Sequence, residues 1–316
     1  MSLARLRARY LAGDLPKAEY IEQMHQLHAR LFEYAAYIRD TDIARIEITD
    51  GQVMLVSRES DLRIICDPAD RRAAPIETLN FGHYERDEAA MLYRLIGPKD
   101  VVFDIGANIG WYTLNIAKRF PSATVHAFEP VPDTYAHLCT NVECNRVTSA
   151  LTYNFGFSDA EKEITFFVDP HESVSASAAN LMERPEVKEV RCRVTTLDGF
   201  LAERGVGLDV IKCDVEGAEL FVYRGGIASI REHQPVILTE MLRKWSAKFG
   251  YSPNEIISLL SSVGYKCFTV RDQCLEEFLA MEEDTQATAF FFLHSTRHAE
   301  QIASLIRPVW PAAETE

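Results

Sequence analysis

The chain has 316 residues, 47% of them hydrophobic and 25% charged, an ordinary globular composition that excludes wholesale disorder. Its formal net charge is −14, from 47 acidic and 33 basic side chains, and no basic stripe is evident. Nucleic acid and anionic membrane surfaces are therefore not expected as partners. No stretch approaches the roughly 20 apolar residues that a membrane span requires.

The cysteines and the first residues indicate a cellular location. None of the seven cysteines forms a C-x-x-C pair, which favours reduced thiols over a disulfide framework or a zinc site. The opening residues, MSLARLRARYLAG, lack the apolar core of a signal peptide. A cytoplasmic protein is expected.

Residues 1–83 are predicted to form an N-terminal α+β extension. A helix is expected over 16–39, with Met24, Leu27 and Leu31 among the residues of one apolar stripe. Two alternating runs joined by Asp50-Gly51 predict a β-hairpin, and LRIIC a third strand. The stripe of this helix favours core packing or a homo-oligomer interface over a substrate lid.

Residues 84–300 are predicted to form one α/β domain, and residues 301–316 a C-terminal tail. After a helix over 86–96, strand-like and helix-like segments alternate from VVFDIG to ATAFFFLHS, which predicts a mostly parallel sheet with helices on both faces. No helix is apparent between the last two strands, so they are expected to form an antiparallel hairpin at one sheet edge. Ligands of such sheets bind beyond the carboxyl ends of the strands.

A glycine-containing turn follows the first strand of this domain. In VVFDIGANIG, Gly106 and Gly110 allow a tight turn and a close approach to a ligand. The spacing G-x-N-x-G is shorter than the dinucleotide fingerprint G-x-G-x-x-G, and Asp104 would repel a pyrophosphate. Glu129 ends the next strand, where a carboxylate can accept both ribose hydroxyls. A ribose-containing cation such as S-adenosylmethionine fits these residues.

These motifs resemble a known family. DIGANIG, AFEP, NFGFSD, LDVIKCDVEGAEL and PVILTEM together are similar to the FkbM family of S-adenosylmethionine-dependent methyltransferases, over about residues 84–241. The resemblance implies a Rossmann-like class I methyltransferase fold, with seven strands of which the last is antiparallel. It also implies methylation of hydroxyl groups on sugars or macrolide natural products.

The resemblance also implies cofactor contacts. Asp104, Gly106, Asn108 and Gly110 would line the methionine end of S-adenosylmethionine. Glu129 and Pro130 would lie at the ribose, and Gly156, Phe157 and Ser158 near the adenine. Tyr84 and Glu85 precede the first helix of the domain and could close over the cofactor or the acceptor.

Methyl transfer to a hydroxyl needs a base and a positioned acceptor. Asp214 and Glu216, at the tip of one strand, and Glu240, at the tip of the next, are the candidates to orient or deprotonate the hydroxyl. Asp214 is also a candidate contact of the cofactor, as is Glu85. An alternative role for Glu216 is a carboxylate favoured by a helix N-terminus. Lys212 is predicted to pair with Asp214, with acceptor contact or a catalytic lysine of lowered pKa as alternatives.

A long polar segment, VDPHESVSASAANLMERP, lies between two strands on the expected acceptor side. Its candidate residues are His171, as a catalytic group, and Ser175, Ser177 and Asn180, as acceptor contacts; a surface loop without contact to the acceptor is the alternative. Because no D-x-D or similar set of ligands appears, no metal is predicted.

The predicted function is an O-methyltransferase that uses S-adenosylmethionine and acts on a small-molecule or glycan acceptor, with a sugar hydroxyl as the first choice. The alternatives are a polyketide or peptide natural product as acceptor, a nicotinamide-dependent oxidoreductase, or a non-catalytic nucleoside-binding module.

Overall fold

The computed structural model describes residues 2–169, 172–179 and 187–307, with the side chains of residues 172–175 left out. The helices, in chain order, are α1 (Leu3–Leu11), α2 (Lys17–Tyr37), α3 (Ala74–Phe81), α4 (Arg86–Leu95), α5 (Trp111–Arg119), α6 (Pro132–Cys144), α7 (Leu197–Arg204), α8 (Glu219–Arg224), α9 (Ile227–His233), α10 (Arg243–Ser246), α11 (Asn254–Ser261) and α12 (Ala299–Leu305). The strands are β1 (Ile43–Thr49), β2 (Gln52–Ser57), β3 (Arg63–Cys66), β4 (Val101–Ile105), β5 (Thr124–Phe128), β6 (Ala150–Tyr153), β7 (Gly156–Phe157), β8 (Lys162–Asp169), β9 (Glu172–Ser177), β10 (Lys188–Thr195), β11 (Val210–Cys213), β12 (Val236–Glu240), β13 (Tyr265–Arg271), β14 (Cys274–Glu277) and β15 (Ala289–His294).

The largest sheet has the predicted α/β architecture. Its order is β14-β13-β15-β12-β11-β4-β5-β6, and the pairs from β12 to β6 are parallel. Strand β15 is antiparallel to both β12 and β13. The class I methyltransferase fold and its antiparallel last strand are thus confirmed. Two details were wrong: the sheet has eight strands, and β14 forms the edge while β15 lies inside the sheet.

The central strands are buried on both faces because helices cover both sides. Strand β11 is fully buried, and β4 is buried from its second residue onward. Residues of the two faces alternate along the strands. Phe103, Ile211 and Ile237 join the core on one face, and Val102, Val210 and Val236 join the core on the other.

A second sheet of four strands, in the order β7-β10-β8-β9, stands beside the main one. Strands β8 and β10 are antiparallel partners. This sheet was not predicted, and it separates β7 from β6, which the sequence presented as one continuous strand.

The N-terminal extension contains the predicted helix and hairpin. Helix α2 was predicted within a few residues, whereas α1 was missed. The chain turns between β1 and β2 at Asp50 and Gly51, both with positive φ angles (52° and 78°), as a two-residue hairpin requires. Strand β3 completes this small sheet as predicted.

The extension and the α/β domain share packed side chains. Leu62 and Ile64 belong to one buried cluster with Ile109 and Leu114, and the Ile65 N–H donates to the side chain of Asn141. The predicted boundary near residue 83 therefore does not separate two independent cores. Helix α12 runs across the predicted boundary at residue 300, and Leu305 packs into the core.

None of the helices in the described ranges combines the length and the apolar character that a membrane crossing needs.

Candidate active site

A cavity of about 690 Å³ opens at the carboxyl ends of β4, β5, β11 and β12. Its walls include the strand tips of the main sheet, strand β8 of the second sheet, helix α3 with the segment before it, and residues 242–249 beyond β12. This is the position at which parallel α/β sheets bind ligands.

The loop from Gly106 to Gly110 forms the floor of the cavity. Gly106 has a φ of 77°, and a Cβ atom there would lie 1.8 Å from the carbonyl oxygen of Asp214. Only glycine permits this approach of the loops that follow β4 and β11. Asn108 also has a positive φ, 49°, and its side chain accepts a hydrogen bond from the Ile109 N–H. The loop therefore presents backbone at close range to whatever enters the cavity.

Glu129, at the end of β5, lies on the wall beside this loop. Its two carboxylate oxygens accept hydrogen bonds from the backbone N–H groups of Asn108 (3.0 Å) and Val131 (2.9 Å). Each oxygen keeps a further lone pair that can accept from a ligand. Burial raises the pKa of Glu129 to about 7, against the effect of these two hydrogen bonds.

Gly156, Phe157 and Ser158 form the next part of the wall, together with Pro130. A Cβ atom on Gly156 would touch the Pro130 ring at 3.4 Å, so the segment before the second sheet packs closely against the end of β5. The structure thus brings together the residues for which the sequence predicted a ribose and adenine site.

Three carboxylates meet on the opposite side of the cavity. Asp214, Glu216 and Glu240 each offer an oxygen within 4.8 Å of the others. Burial, followed by the nearby charge of Asp214, raises the pKa of Glu216 and of Glu240 well above the ordinary value. A group of this kind could hold a metal ion, whereas the sequence was interpreted against an obligatory metal because it has no D-x-D set. Metal-independent activity remains a prediction.

Lys212 lies beneath this cluster and is almost entirely buried. Its Nζ atom lies 3.5 Å from Asp214 Oδ2 and 3.8 Å from Asp104 Oδ1, and donates to the Gly106 carbonyl at 3.4 Å. Burial alone would lower the pKa of Lys212, but the carboxylates of Asp214 and Asp104 outweigh it and the pKa is raised. Lys212 is therefore a fixed positive charge, as the predicted ion pair requires, and the alternative with a lowered pKa was wrong.

Glu85 and Tyr84 form the rim above these acids. The Tyr112 hydroxyl donates to Glu85 at 2.6 Å, and burial raises the pKa of Glu85 despite this hydrogen bond. Tyr84 packs edge-on against Trp111, with ring centroids 5.1 Å apart. Both predicted rim residues line the cavity.

Comparison with known proteins agrees with this architecture. Residues 104–267, just over half of the chain, match the model of the methyltransferase FkbM domain. The chain belongs to the FkbM methyltransferase family.

Three relatives show how far the similarity extends. Methyltransferase 1 of Beauveria bassiana is 32% identical over 144 residues, which are 39% of this chain and 57% of that protein. The 31-O-demethyl-FK506 methyltransferase FkbM of Streptomyces tacrolimicus is 31% identical over 45% of this chain and 70% of its own length. The hexuronic acid methyltransferase AglP of Haloferax volcanii is 28% identical over 56% and 68%.

Several candidate residues of this FkbM-family protein lie elsewhere than predicted. Asp104 is fully buried beneath the loop, where Thr113 donates to it at 2.6 Å, and it does not line the cavity. Gly110 packs towards Leu138 and caps α5 instead of facing the cavity. The Ser177 hydroxyl is buried and donates to the Glu216 carbonyl at 2.8 Å, so it is a structural bridge and not an acceptor contact.

Three further candidates cannot be placed. His171 and Asn180 lie outside the described residues, and so does the side chain of Ser175. Their assignment remains a prediction.

The sequence reasoning missed one wall of the cavity. Trp245, Phe249 and Lys244 line it beyond β12, and Arg72 and Glu77 line it from the N-terminal extension. The Lys244 ammonium lies 4.1 Å from the centre of the Trp245 ring. The position of Trp245 in the sequence could have indicated this wall, because it follows Glu240, at a predicted strand tip, by five residues. Nothing comparable marked Arg72 and Glu77.

Proposed function

We propose that this FkbM-family protein is an S-adenosylmethionine-dependent O-methyltransferase whose acceptor is a sugar hydroxyl. The observation that carries the proposal is a cavity with two different walls. One wall contains Glu129 and the loop at Gly106, and the opposite wall contains the carboxylates of Asp214, Glu216 and Glu240 together with Trp245. The first wall suits the cofactor and the second suits a polyol.

The cofactor fits the chemistry of the first wall. Bound S-adenosylmethionine would supply an electrophilic methyl group on a positively charged sulfur. Glu129 has a free lone pair on each oxygen for the ribose hydroxyls, and the backbone at Gly106 leaves room for the methionine part. The spacing G-x-N-x-G, which is shorter than the dinucleotide fingerprint G-x-G-x-x-G, argues against the nicotinamide alternative.

The second wall suits a sugar. Carboxylates of Glu85, Glu216 and Glu240 can accept hydrogen bonds from several hydroxyls at once, or donate one when protonated. The face of Trp245 offers an apolar platform for the C–H face of a sugar ring. The relative named for hexuronic acid supports this class of acceptor, whereas the relative named for 31-O-demethyl-FK506 supports a natural-product acceptor as second choice.

Asp214 is the residue that we assign as the base. Its Oδ2 atom lies 3.5 Å from the Lys212 ammonium, which orients it, whereas burial raises the pKa of Glu216 and of Glu240 well above the ordinary value. As the acceptor oxygen forms its bond to the methyl carbon, its proton passes to Asp214. Bound S-adenosylmethionine would supply the methyl group, and its sulfur would keep the electron pair of the carbon–sulfur bond.

The test is methyl transfer from labelled S-adenosylmethionine to a panel of sugars, uronic acids and macrolides. Asp214→Asn should lower kcat by roughly 10²–10⁴-fold, while S-adenosylhomocysteine still raises the melting temperature of the variant. Asp133→Asn, at an exposed carboxylate outside the cavity lining, is the matched control and should change kcat far less. Each assay is repeated with EDTA and with added Mg²⁺, and equal rates are expected.

Two results would overturn the proposal. One is the absence of thermal stabilisation by S-adenosylmethionine and S-adenosylhomocysteine in the unmodified protein. The other is an Asp214→Asn variant that keeps its kcat, which would remove the base. Transfer to a macrolide but to no sugar would replace the acceptor class and leave the reaction intact.

A further inference from the structure

Helix α2 projects from the protein with no buried residue along its 21 positions. In proteins most of the stability of a helix comes from the packing of an amphipathic face. Helix α1 covers part of it: Tyr10 stacks on Tyr20, with ring centroids 4.4 Å apart, which places α1 beside the first turns of α2. Because α1 has only 9 residues, the second half of α2 extends beyond it.

The exposed face of α2 is apolar. At about 100° per residue, Ile21, Leu27, Leu31, Phe32 and Tyr34 fall within an arc of roughly 160°. These five side chains are between 38% and 71% exposed. The acidic residues of the helix and Arg30 lie on the opposite side. We call the exposed face, defined by these five residues, the α2 stripe.

Exposed apolar side chains concentrate in this part of the molecule. Thirteen large hydrophobic side chains are exposed among the described residues, and eleven of them belong to residues 2–83. The other two, Leu151 and Leu279, are isolated on the α/β domain. Contiguous apolar surface of this kind marks an interaction site, whereas scattered single residues do not.

We propose that the α2 stripe is the interface through which two copies of this chain form a symmetric dimer. The first argument is charge. Residues 84–316 carry a net charge of −12 and residues 2–83 only −2, and within the α1–α2 hairpin (residues 3–37) the net charge is +1. Two copies therefore meet with least repulsion at the hairpin, and a polyanionic surface would be repelled by the rest of the protein.

The hairpin is also complementary to itself. Helix α1 carries Arg5, Arg7 and Arg9 and no acid, whereas α2 carries three glutamates and two basic residues. In a two-fold arrangement each residue contact occurs twice, so α1 of one copy can face α2 of the other with opposite net charges at both ends.

The available area matches a dimer. Tyr37 is left out because its hydroxyl donates to the Leu79 carbonyl. The hairpin has seven other exposed large apolar side chains, and their exposed fractions together amount to nearly four whole side chains. At about 150 Å² each, the lower end for a large side chain, this gives about 600 Å², of which the α2 stripe supplies about 400 Å² and Leu3 and Leu11 of α1 the rest. A stable interface of standard size buries about 800 Å² per partner.

The test measures the mass of the full chain in solution by light scattering and sedimentation equilibrium. The unmodified protein should have twice the 35.8 kDa mass of one chain. Leu31→Glu combined with Phe32→Glu should give the single-chain mass. Leu279→Glu, which places the same charge at the most exposed apolar side chain of the α/β domain, should leave the dimer intact.

The possible results distinguish a second copy of the chain from a membrane as the surface that covers the α2 stripe. A single-chain mass for the unmodified protein at micromolar concentration would overturn the proposal, and so would a double variant that remains dimeric. Binding of the unmodified single chain to neutral lipid vesicles would assign the stripe to a membrane surface instead. Because both side chains are exposed, the double variant should fold, which its thermal stabilisation by S-adenosylhomocysteine checks. The masses do not depend on whether the proposed methyl transfer is correct.

Discussion

The N-terminal extension and the α/β domain differ in which side chains they bury: the domain buries many polar side chains, and the extension leaves many apolar side chains exposed. Among the described residues, the domain buries eight Asp, Glu, Lys or His side chains: Asp104, His126, Glu129, Asp169, Lys212, Glu219, His294 and His298. The extension buries one, Asp70, whose carboxylate accepts the backbone N–H groups of Arg72 and Ala73. The extension instead exposes apolar side chains to solvent.

This difference distinguishes two kinds of function. Burying a charge is costly unless partners surround it, and two of the buried side chains of the domain, Glu129 and Lys212, line the cavity. Exposing apolar surface is costly unless another surface covers it. The extension still reaches the chemical site through Arg72 and Glu77 on the cavity rim, so the two regions are not functionally separate.

The largest expected effect comes from adding a methyl group to Gly106. In Gly106→Ala, the Cβ atom would lie 1.8 Å from the Asp214 carbonyl oxygen, at a φ of 77° that disfavours alanine. One of the two loops must move, so we expect a loss of roughly 4 kcal/mol or more in unfolding free energy and no detectable binding of S-adenosylhomocysteine. Chemical denaturation and calorimetric titration measure the two effects.

Gly13, in the extension, is the matched control. Its φ of 83° imposes a similar backbone strain, but a Cβ atom there would meet nothing within 4 Å. Gly13→Ala should therefore cost only about 1 kcal/mol and leave cofactor binding unchanged. Equal losses for both variants would show that strain, and not the contact between the loops, makes Gly106 necessary.

The sequence predicted those parts of the protein that depend on local patterns. The glycine turn, the acid at the tip of β5 and the paired acids after β11 follow from strand ends and residue type, and the structure brings Gly106, Glu129 and Asp214 to one cavity. The Asp50-Gly51 hairpin was predictable for the same reason, because its turn chemistry is local.

The parts that were missed depend on tertiary contacts. Strands β8 to β10 resemble any alternating segment, and nothing local shows that they leave the main sheet. Asp104 looked like a cavity residue because it sits in the motif, yet the register of β4 beside β11 turns it towards Lys212 beneath the loop. Arg72 reaches the cavity only because β3 packs on the helices of the domain.

Removing the buried positive charge should have the next largest effect. In Lys212→Met, the carboxylate of Asp104 would remain buried without its cation, which costs roughly 3 kcal/mol. Asp214 would also lose its ion pair with Lys212, which orients it, so kcat should fall at every pH. Thermal unfolding and a pH–rate profile measure these changes.

An exposed ion pair of the extension provides the comparison. Arg30 and Glu33 on α2 lie 2.5 Å apart but are 75% and 61% exposed. Arg30→Met should therefore change neither thermal unfolding nor the pH profile measurably. If Lys212→Met behaved in the same way, the buried pair would have no special role and the assignment of Asp214 as base would lose its support.

The smallest effect is a pH dependence of cofactor binding that arises at Glu129. Because burial raises the pKa of Glu129 to about 7, the side chain is largely protonated at pH 6 and largely ionised at pH 8. The ionised form can accept both ribose hydroxyls, so the affinity for S-adenosylhomocysteine should rise as the pH rises through 7, by about tenfold over this range. Calorimetric titration at several pH values measures this change in affinity.

The Glu129→Gln variant tests whether Glu129 is the titrating group. It should bind S-adenosylhomocysteine more weakly at every pH, because its amide would point a donor at a backbone N–H, and its affinity should no longer depend on pH. A variant that kept the dependence would place the titrating group elsewhere, among Glu85, Glu216 and Glu240.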